Sequence, residues 1–335
     1  AMECLEEIFS EMDVIEFMIV ENDLVVNRSP FKDEGLFVGR FIKKLRHKGI
    51  TRLDIHKGIK RAEMVKLIAF LSRQHRKVPS LPHVKTGIVD VVLGVGGDTG
   101  DMETGLEELS SEQIERFKEI TSGVSPFKEL SIAGIEEIVI KFLVTMKREG
   151  ALLRLLSPVK SYSEYTYTHA TNVAVLSMFQ AECLGLGDEF VHEIGIAGLL
   201  HDVGKLFVSR EVLEKKGRLT DEEFEEIKRH TIYGALYLSK NDSLPQIAAI
   251  ASLEHHLGFD GRGYPAFRLV RRRQHLCSQI VQIADFFDAL RSRRPYKRDW
   301  DVKKTLVIMK EASNRQFNPV LVESFARNLL RALKG

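Results

Sequence analysis

The stretch Ile194-Gly195-Ile196-Ala197-Gly198-Leu199-Leu200-His201-Asp202 decides how the second half of this chain is read. A run of small and apolar residues makes a buried helix end, and it delivers an imidazole and a carboxylate straight into the interior. Burying two such groups is costly unless something neutralises them. A divalent metal does so, because it takes imidazole nitrogen and carboxylate oxygen together, and the two oxygens of Asp202 can bridge a pair of ions. The plainer alternative is a helix-capping aspartate beside a satisfied histidine, so the pair has to be weighed with its surroundings.

Outward from this stretch the pattern is helical. Ile132, Ile135, Val139, Phe142 and Met146 share one helical face, and similar stripes run over 172–184, 190–200, 221–238, 246–257, 278–290 and 302–312. Strand patterns are scarce, which predicts an all-α bundle of seven or more helices. The beginning of the chain reads differently. β-Branched runs at 14–20 and 24–27 flank Glu21-Asn22-Asp23 as in a hairpin. Amphipathic helices follow at 36–45 and 61–71, with strands at 51–56 and 87–93. Between the halves lies a glycine-rich acidic stretch, with Gly96-Gly97, Asp98, Asp101 and Glu103. It lacks the Gly-Lys-Ser/Thr of a P-loop and the spacing of a dinucleotide fingerprint, so it reads as a linker. The expectation is an α+β two-domain protein: a small mixed α/β N-terminal domain (1–93), a linker (94–110) and a helical bundle (111–335).

Composition narrows the function classes. Of 335 residues, 44% are hydrophobic and 29% charged, the balance of a globular protein with a real core. A formal net charge of +2 is too near neutral for a protein that works by coating nucleic acid. The basic cluster Lys43-Lys44-Leu45-Arg46-His47-Lys48 reads as the solvated face of a helix. Three scattered cysteines form no CxxC pair, which speaks against a disulfide framework or a thiolate zinc site. No stretch approaches bilayer length, and the acidic start does not resemble a signal peptide. A cytoplasmic protein without membrane contact is expected.

Most of the eleven histidines have unremarkable surroundings. Five do not. His201 precedes Asp202. His255 and His256 are adjacent at a helix end marked by Leu257-Gly258, where both can serve one site. His169 and His230 lie on apolar helical stripes, and Asp285 sits in the greasy run Ile283-Ala284-Asp285-Phe286-Phe287. Together, five histidines and two aspartates on separate helices of one bundle fit a two-metal site of inward-facing side chains.

With His201-Asp202-Val203-Gly204-Lys205, His255-His256 and Asp260-Gly261-Arg262-Gly263-Tyr264-Pro265 in this order, the chain resembles the HD-GYP family, a branch of the HD phosphohydrolases associated with cyclic di-GMP. Further matches are Ile227-Lys228-Arg229-His230, Ala284-Asp285-Phe286-Phe287-Asp288-Ala289-Leu290, Arg294-Pro295-Tyr296-Lys297 and Phe317-Asn318-Pro319. The resemblance implies that His169, His201, Asp202, His230, His255, His256 and Asp285 ligate two divalent ions, iron or manganese, with Asp202 bridging. It implies a catalytic role for Lys205 beside Asp202, and substrate contacts from Lys205, Gly263, Tyr264, Asp288, Arg294 and Lys297. The implied reaction is hydrolysis of cyclic di-GMP to pGpG or GMP by a hydroxide that the two metals activate. Two departures stand out. Tyr165 occupies a position where some members carry a glutamate for a third metal, and Glu164 is one residue off, so two ions are expected. Leu257 replaces the glutamate that usually follows the paired histidines, which leaves open a cyclic-dinucleotide-binding module with weak turnover, or a hydrolase of another nucleotide. The N-terminal domain carries no catalytic constellation and reads as a regulatory or dimerising module, the route to a homodimer in the second case.

Overall fold

The computed structural model describes the chain apart from residues 1, 21–22, 32–35, 73–80, 88–101, 123, 125–129, 150–155, 157–164, 216, 267–272, 293–301 and 334–335. It divides into two compact units, Ala1–Leu93 and Gly94–Gly335.

The first unit carries helices α1 (Met2–Glu11), α2 (Leu36–His47) and α3 (Arg61–Ser72) and five strands: β1 (Val14–Val20), β2 (Asp23–Val26), β3 (Ser29–Pro30), β4 (Arg52–His56) and β5 (Val84–Gly87). The strands pair antiparallel in the order β3-β2-β1-β4-β5. Alternation puts Ile15 and Ile19 of β1 and Leu53 and Ile55 of β4 into one core. Ile42 and Leu45 of α2 and Leu67 and Phe70 of α3 complete that core. The last strand lies upstream of the expected 87–93, whose residues from 88 on are outside the described ones. Its main chain pairs with β4 at Leu53 and Ile55, so an edge strand with Val84 as its one large apolar residue suffices.

The second unit is helical: α4 (Met102–Ser122), α5 (Ile132–Glu149), α6 (Tyr165–Cys183), α7 (Asp188–Leu200), a tight turn of helix (Val203–Phe207), α8 (Arg210–Leu213), α9 (Asp221–Lys228), α10 (His230–Leu238), α11 (Gln246–Glu254), α12 (Leu276–Ser292), α13 (Val302–Glu311) and α14 (Pro319–Ala332). Two boundaries differ from expectation. Of the stretch 94–110, the residues from Met102 on belong to α4. The helix expected as one piece over 221–238 is two. Thr220 and Glu223 close a capping box at the start of α9, and Arg229, donating to Glu226 O at 3.1 Å, ends α9 and opens α10. That break sets His230 at a helix start.

Helix α6 packs on α7 and α12, and α11 packs on α7, α10 and α12. The turn after His201-Asp202 lies against α10 so closely that a Cβ on Gly204 would collide with the His230 carbonyl. These contacts bring the ends of α7 and α11, the starts of α6 and α10 and the middle of α12 to one place.

Candidate metal centre

Asp202 follows the buried run of α7, and His201 beside it, His230 at the start of α10 and the His255-His256 turn after α11 gather around it. His201, His230 and His255 are fully buried, and Asp202 is nearly so. Three of the rings are oriented in the same way. Nδ1 of His201 faces Gly198 O at 2.7 Å and Nδ1 of His230 faces Ile227 O at 2.7 Å. Nδ1 of His255 faces the carbonyls of Ala251 and Ser252, each at 3.0 Å. Each ring therefore donates from Nδ1 to its own stretch of main chain and turns a bare Nε2 inward, the arrangement that prepares a histidine for a metal.

The inward nitrogens converge on Asp202. His201 Nε2 lies 3.3 Å from Oδ2, while His230 and His255 Nε2 lie 3.3 and 3.6 Å from Oδ1. Nε2 of His230 and His255 stand 3.2 Å apart. With both Nδ1 atoms donating, these are two lone pairs facing each other, an arrangement that a cation between them relieves. His201 Nε2 and Asp202 Oδ1 are buried without a hydrogen-bond partner. Such orphaned acceptors need an explanation, and a bound cation supplies one. Two sets of ligand atoms, each within 4.8 Å of one another, result: Asp202, His230, His255 and His256, and beside them His169, His201 and Asp285. Hard oxygen and borderline nitrogen donors without thiolate suit iron, manganese or zinc, so the residues present fit a divalent pair.

Within the second set, His169 is held differently. His169 of α6 lies between two carboxylates of α12, with Nδ1 2.8 Å from Asp288 Oδ2 and Nε2 3.0 Å from Asp285 Oδ1. Asn172, one turn along α6, donates to Asp288 Oδ1 at 3.0 Å. Asp288 is fully buried. Its two oxygens thus face His169 and Asn172, so Asp288, expected among the substrate contacts, lies behind a candidate ligand. The spacing carried a signal for this, since Asp285 and Asp288 on α12 face His169 and Asn172 on α6, each pair one helical turn apart.

Charge follows this geometry. Burial works against the His169 imidazolium, but the hydrogen bonds to Asp285 and Asp288 prevail and raise its pKa to about 10. Burial pulls His230 down to about 4, only partly offset by the Asp202 charge. Burial and the neighbouring His255 hold His256 well below its ordinary value. Burial would raise Asp202, yet Lys205 and His201 hold it well below the carboxylate range, and Lys205 Nζ donates to its Oδ2 at 2.5 Å.

At the edge of this centre, Tyr264 lies on His256 with ring centroids 4.6 Å apart. Phe224 of α9, 45% exposed, meets the Tyr264 ring edge-on at 6.4 Å, and Lys228 Nζ sits 4.6 Å over the Phe224 ring. Gly263 has φ +107 and passes so close to the His256 carbonyl that no Cβ fits. Its role is to let the loop return against the paired histidines. Arg294 and Lys297 lie outside the described residues, as do Glu164 and the side chain of Tyr165, which opens α6.

Residues 156–321 match the family model described as HD domain. A Pseudomonas aeruginosa protein named cyclic di-GMP phosphodiesterase is 37% identical over 182 residues, 54% of this chain and 43% of that protein. One of the same name from Thermotoga maritima is 38% identical over 184 residues, 53% of this chain and 50% of that one. A Vibrio cholerae protein named 3'3'-cGAMP-specific phosphodiesterase 3 is 36% identical over 162 residues, 48% of this chain and 35% of that one. The chain thus spans half or less of the length of these relatives. Among solved structures, an HDG"Y"P protein from Bdellovibrio bacteriovorus shares the fold with a TM-score of 0.57 at 15% identity, over 96% of this chain and 95% of that one. No helix of the described residues is long and apolar enough to cross a membrane.

Proposed function

With residues 156–321 an HD domain, we propose that the chain is a metal-dependent phosphodiesterase that opens a cyclic dinucleotide, cyclic di-GMP foremost, to pGpG or on to GMP. The observation that carries this reading is the Asp202 carboxylate, which turns one oxygen to each of two clusters of candidate ligands. His169, His201 and Asp285 would hold one ion, His230, His255 and His256 the other, and Asp202 both. Iron or manganese suits the donors. When bound, such a pair supplies Lewis-acid polarisation of the phosphodiester and acidifies water at neutral pH.

The chain's own residues do the rest. Lys205 keeps its ammonium charged beside Asp202, because the carboxylate raises its pKa against the pull of burial. Its side chain is 31% exposed, so it can turn to the phosphate and offset charge there. Asp288 holds the His169 ring in place through Nδ1. Phe224, Tyr264 and Lys228 form an aromatic and cationic rim suited to a purine base and its phosphate. Arg294 and Lys297 would add charge on the phosphate side.

The substrate class also draws on relatives named for cyclic di-GMP and for 3'3'-cGAMP, so another cyclic dinucleotide is the second reading. Leu257 favours a third, a binding module with slow turnover. Residues 1–93 would be regulatory or dimerising, 94–110 a connection and 111–335 the hydrolase, in a cytoplasmic protein. Incubating the iron- or manganese-loaded chain with cyclic di-GMP under reducing conditions should yield pGpG on chromatography. Absence of product with both metals would sink the enzymatic reading, and faster turnover of 3'3'-cGAMP would move the substrate assignment.

A further inference from the structure

The adjacent histidines sit in a turn where His255 binds back to the main chain of α11 through Nδ1. Helix α11 ends at Glu254, so His255 and His256 fall where carbonyls lose their helical partners. The next residue, Leu257, is buried and offers no polar side-chain atom. Two buried glutamines from outside the turn make up for this. Gln274 Nε2 donates to Glu254 O at 3.1 Å, on one side of the pair, and Gln282 Nε2 donates to Leu257 O at 2.7 Å, on the other. The glutamines join each other, Gln274 Nε2 to Gln282 Oε1 at 3.3 Å. Leu257 N–H closes the circuit by donating to Glu254 O at 2.8 Å. The result is a ring of hydrogen bonds around the two histidines, anchored because Glu254 Oε2 accepts from His275 N–H at 2.8 Å and Ser278 Oγ at 3.0 Å near the start of α12.

We propose that Gln274 and Gln282 are positioning residues that clamp the His255-His256 turn and so set the geometry of one ion of the pair, resting on the two-ion reading above. The clamp also ties the two clusters together. Gln282 and Asp285 lie one turn apart on α12, so the helix that brings Asp285 to His169 holds the opposite ligand set at a fixed distance. Either glutamine lost breaks the ring, since each is linked both to the other and to one carbonyl.

The test is titration of the full chain with Co(II), followed by its visible absorption, together with amide exchange of residues 255–264 in chelator-treated protein. The control is Gln180→Leu, which removes another buried glutamine that donates to a carbonyl, Leu321 O at 3.2 Å, away from the turn. Gln282→Leu should weaken one of two ions by about ten- to a hundredfold, the range for a lost outer contact to a ligand, with the other within about twofold. It should speed exchange in the turn at least about tenfold. Gln274→Leu should do the same, and the double variant should add little, because the contacts act as one unit. Gln180→Leu should lower thermal stability and move neither readout. Unchanged affinities and exchange in folded Gln282→Leu, or equal weakening of both ions in Gln282→Leu and Gln180→Leu, overturns the clamp. One ion or none on the wild-type chain, with exchange still faster in Gln282→Leu alone, keeps the clamp and overturns the two-ion reading.

Discussion

Asp202 lies between two sets of candidate ligands, and His169 in one set is held in the opposite way from His230 and His255 in the other. His230 and His255 send Nδ1–H to carbonyls of their own chain segments, and burial keeps His230 and His256 neutral. His169 instead lies between Asp285 and Asp288, which keep a proton on it despite burial. The same residue type is thus ready for a cation on one side and occupied by a proton on the other. What differs is the partners of the ring nitrogens: a neutral carbonyl on Nδ1 leaves the inward atom bare, whereas a carboxylate on each nitrogen of His169 favours the imidazolium.

Asp202→Asn should break the comparison altogether, since it removes the carboxylate charge that lies between the two sets. Affinity at both positions should fall by more than about a hundredfold, beyond what an outer contact costs, and diester hydrolysis should fall with it. Loss at one position only, measured by metal analysis after dialysis, would show that Asp202 does not bridge. The pH dependence sharpens the contrast. A metal at His169 must displace a proton whose pKa is raised to about 10, so affinity there should rise about tenfold per pH unit from pH 7 to 9. At the other cluster His230 and His256 are already neutral, with pKa values lowered below the ordinary range, so their affinity should stay flat over that interval. Calorimetry in buffers of different ionisation enthalpy counts the released proton, and equal slopes at both positions would refute the assignment. Asp288→Asn keeps the shape at His169 Nδ1 and removes the charge. It should lower affinity at the His169 position about ten- to a hundredfold and leave the other unchanged, by the same titration.

How much of this was legible in the sequence differs between ligands and their supports. His201-Asp202, His255-His256 and Asp285 stand out because a charged or ligand-type side chain inside an apolar run demands a partner. Asp288 sits in the same run as Asp285, and the sequence does not show which of the two meets His169 at Nδ1. That depends on how α12 is rotated against α6, which is a tertiary matter. Gln274 and Gln282 are harder still, because an isolated glutamine fits a solvated face as well as a buried one, and their targets are main-chain carbonyls of residues 20 and 25 positions away. The first unit shows the same division. Its hairpin was legible from the β-branched runs at 14–20 and 24–27, whereas β5 is an edge strand that pairs through its main chain. The greasier 87–93 drew the expectation instead.

The smallest effect tests the rim beside the neutral cluster. Phe224 is half-exposed and meets Tyr264, which lies on His256, so a purine that stacks on Phe224 would bring its phosphate toward that side of the centre. Base–aromatic stacking is worth about 1–3 kcal/mol, so Phe224→Ala should raise KM for cyclic di-GMP about tenfold with little change in kcat. Hydrolysis of bis(p-nitrophenyl) phosphate, a diester without a base, should be unaffected, and Phe224→Tyr should restore most of the loss. The two substrates separate stacking from packing. If Phe224 only supports Tyr264 and through it His256, both diesters lose rate together and the rim belongs to the ligand cluster. If only the dinucleotide suffers, the aromatic edge reads the base, and the neutral cluster is the side on which the substrate is held.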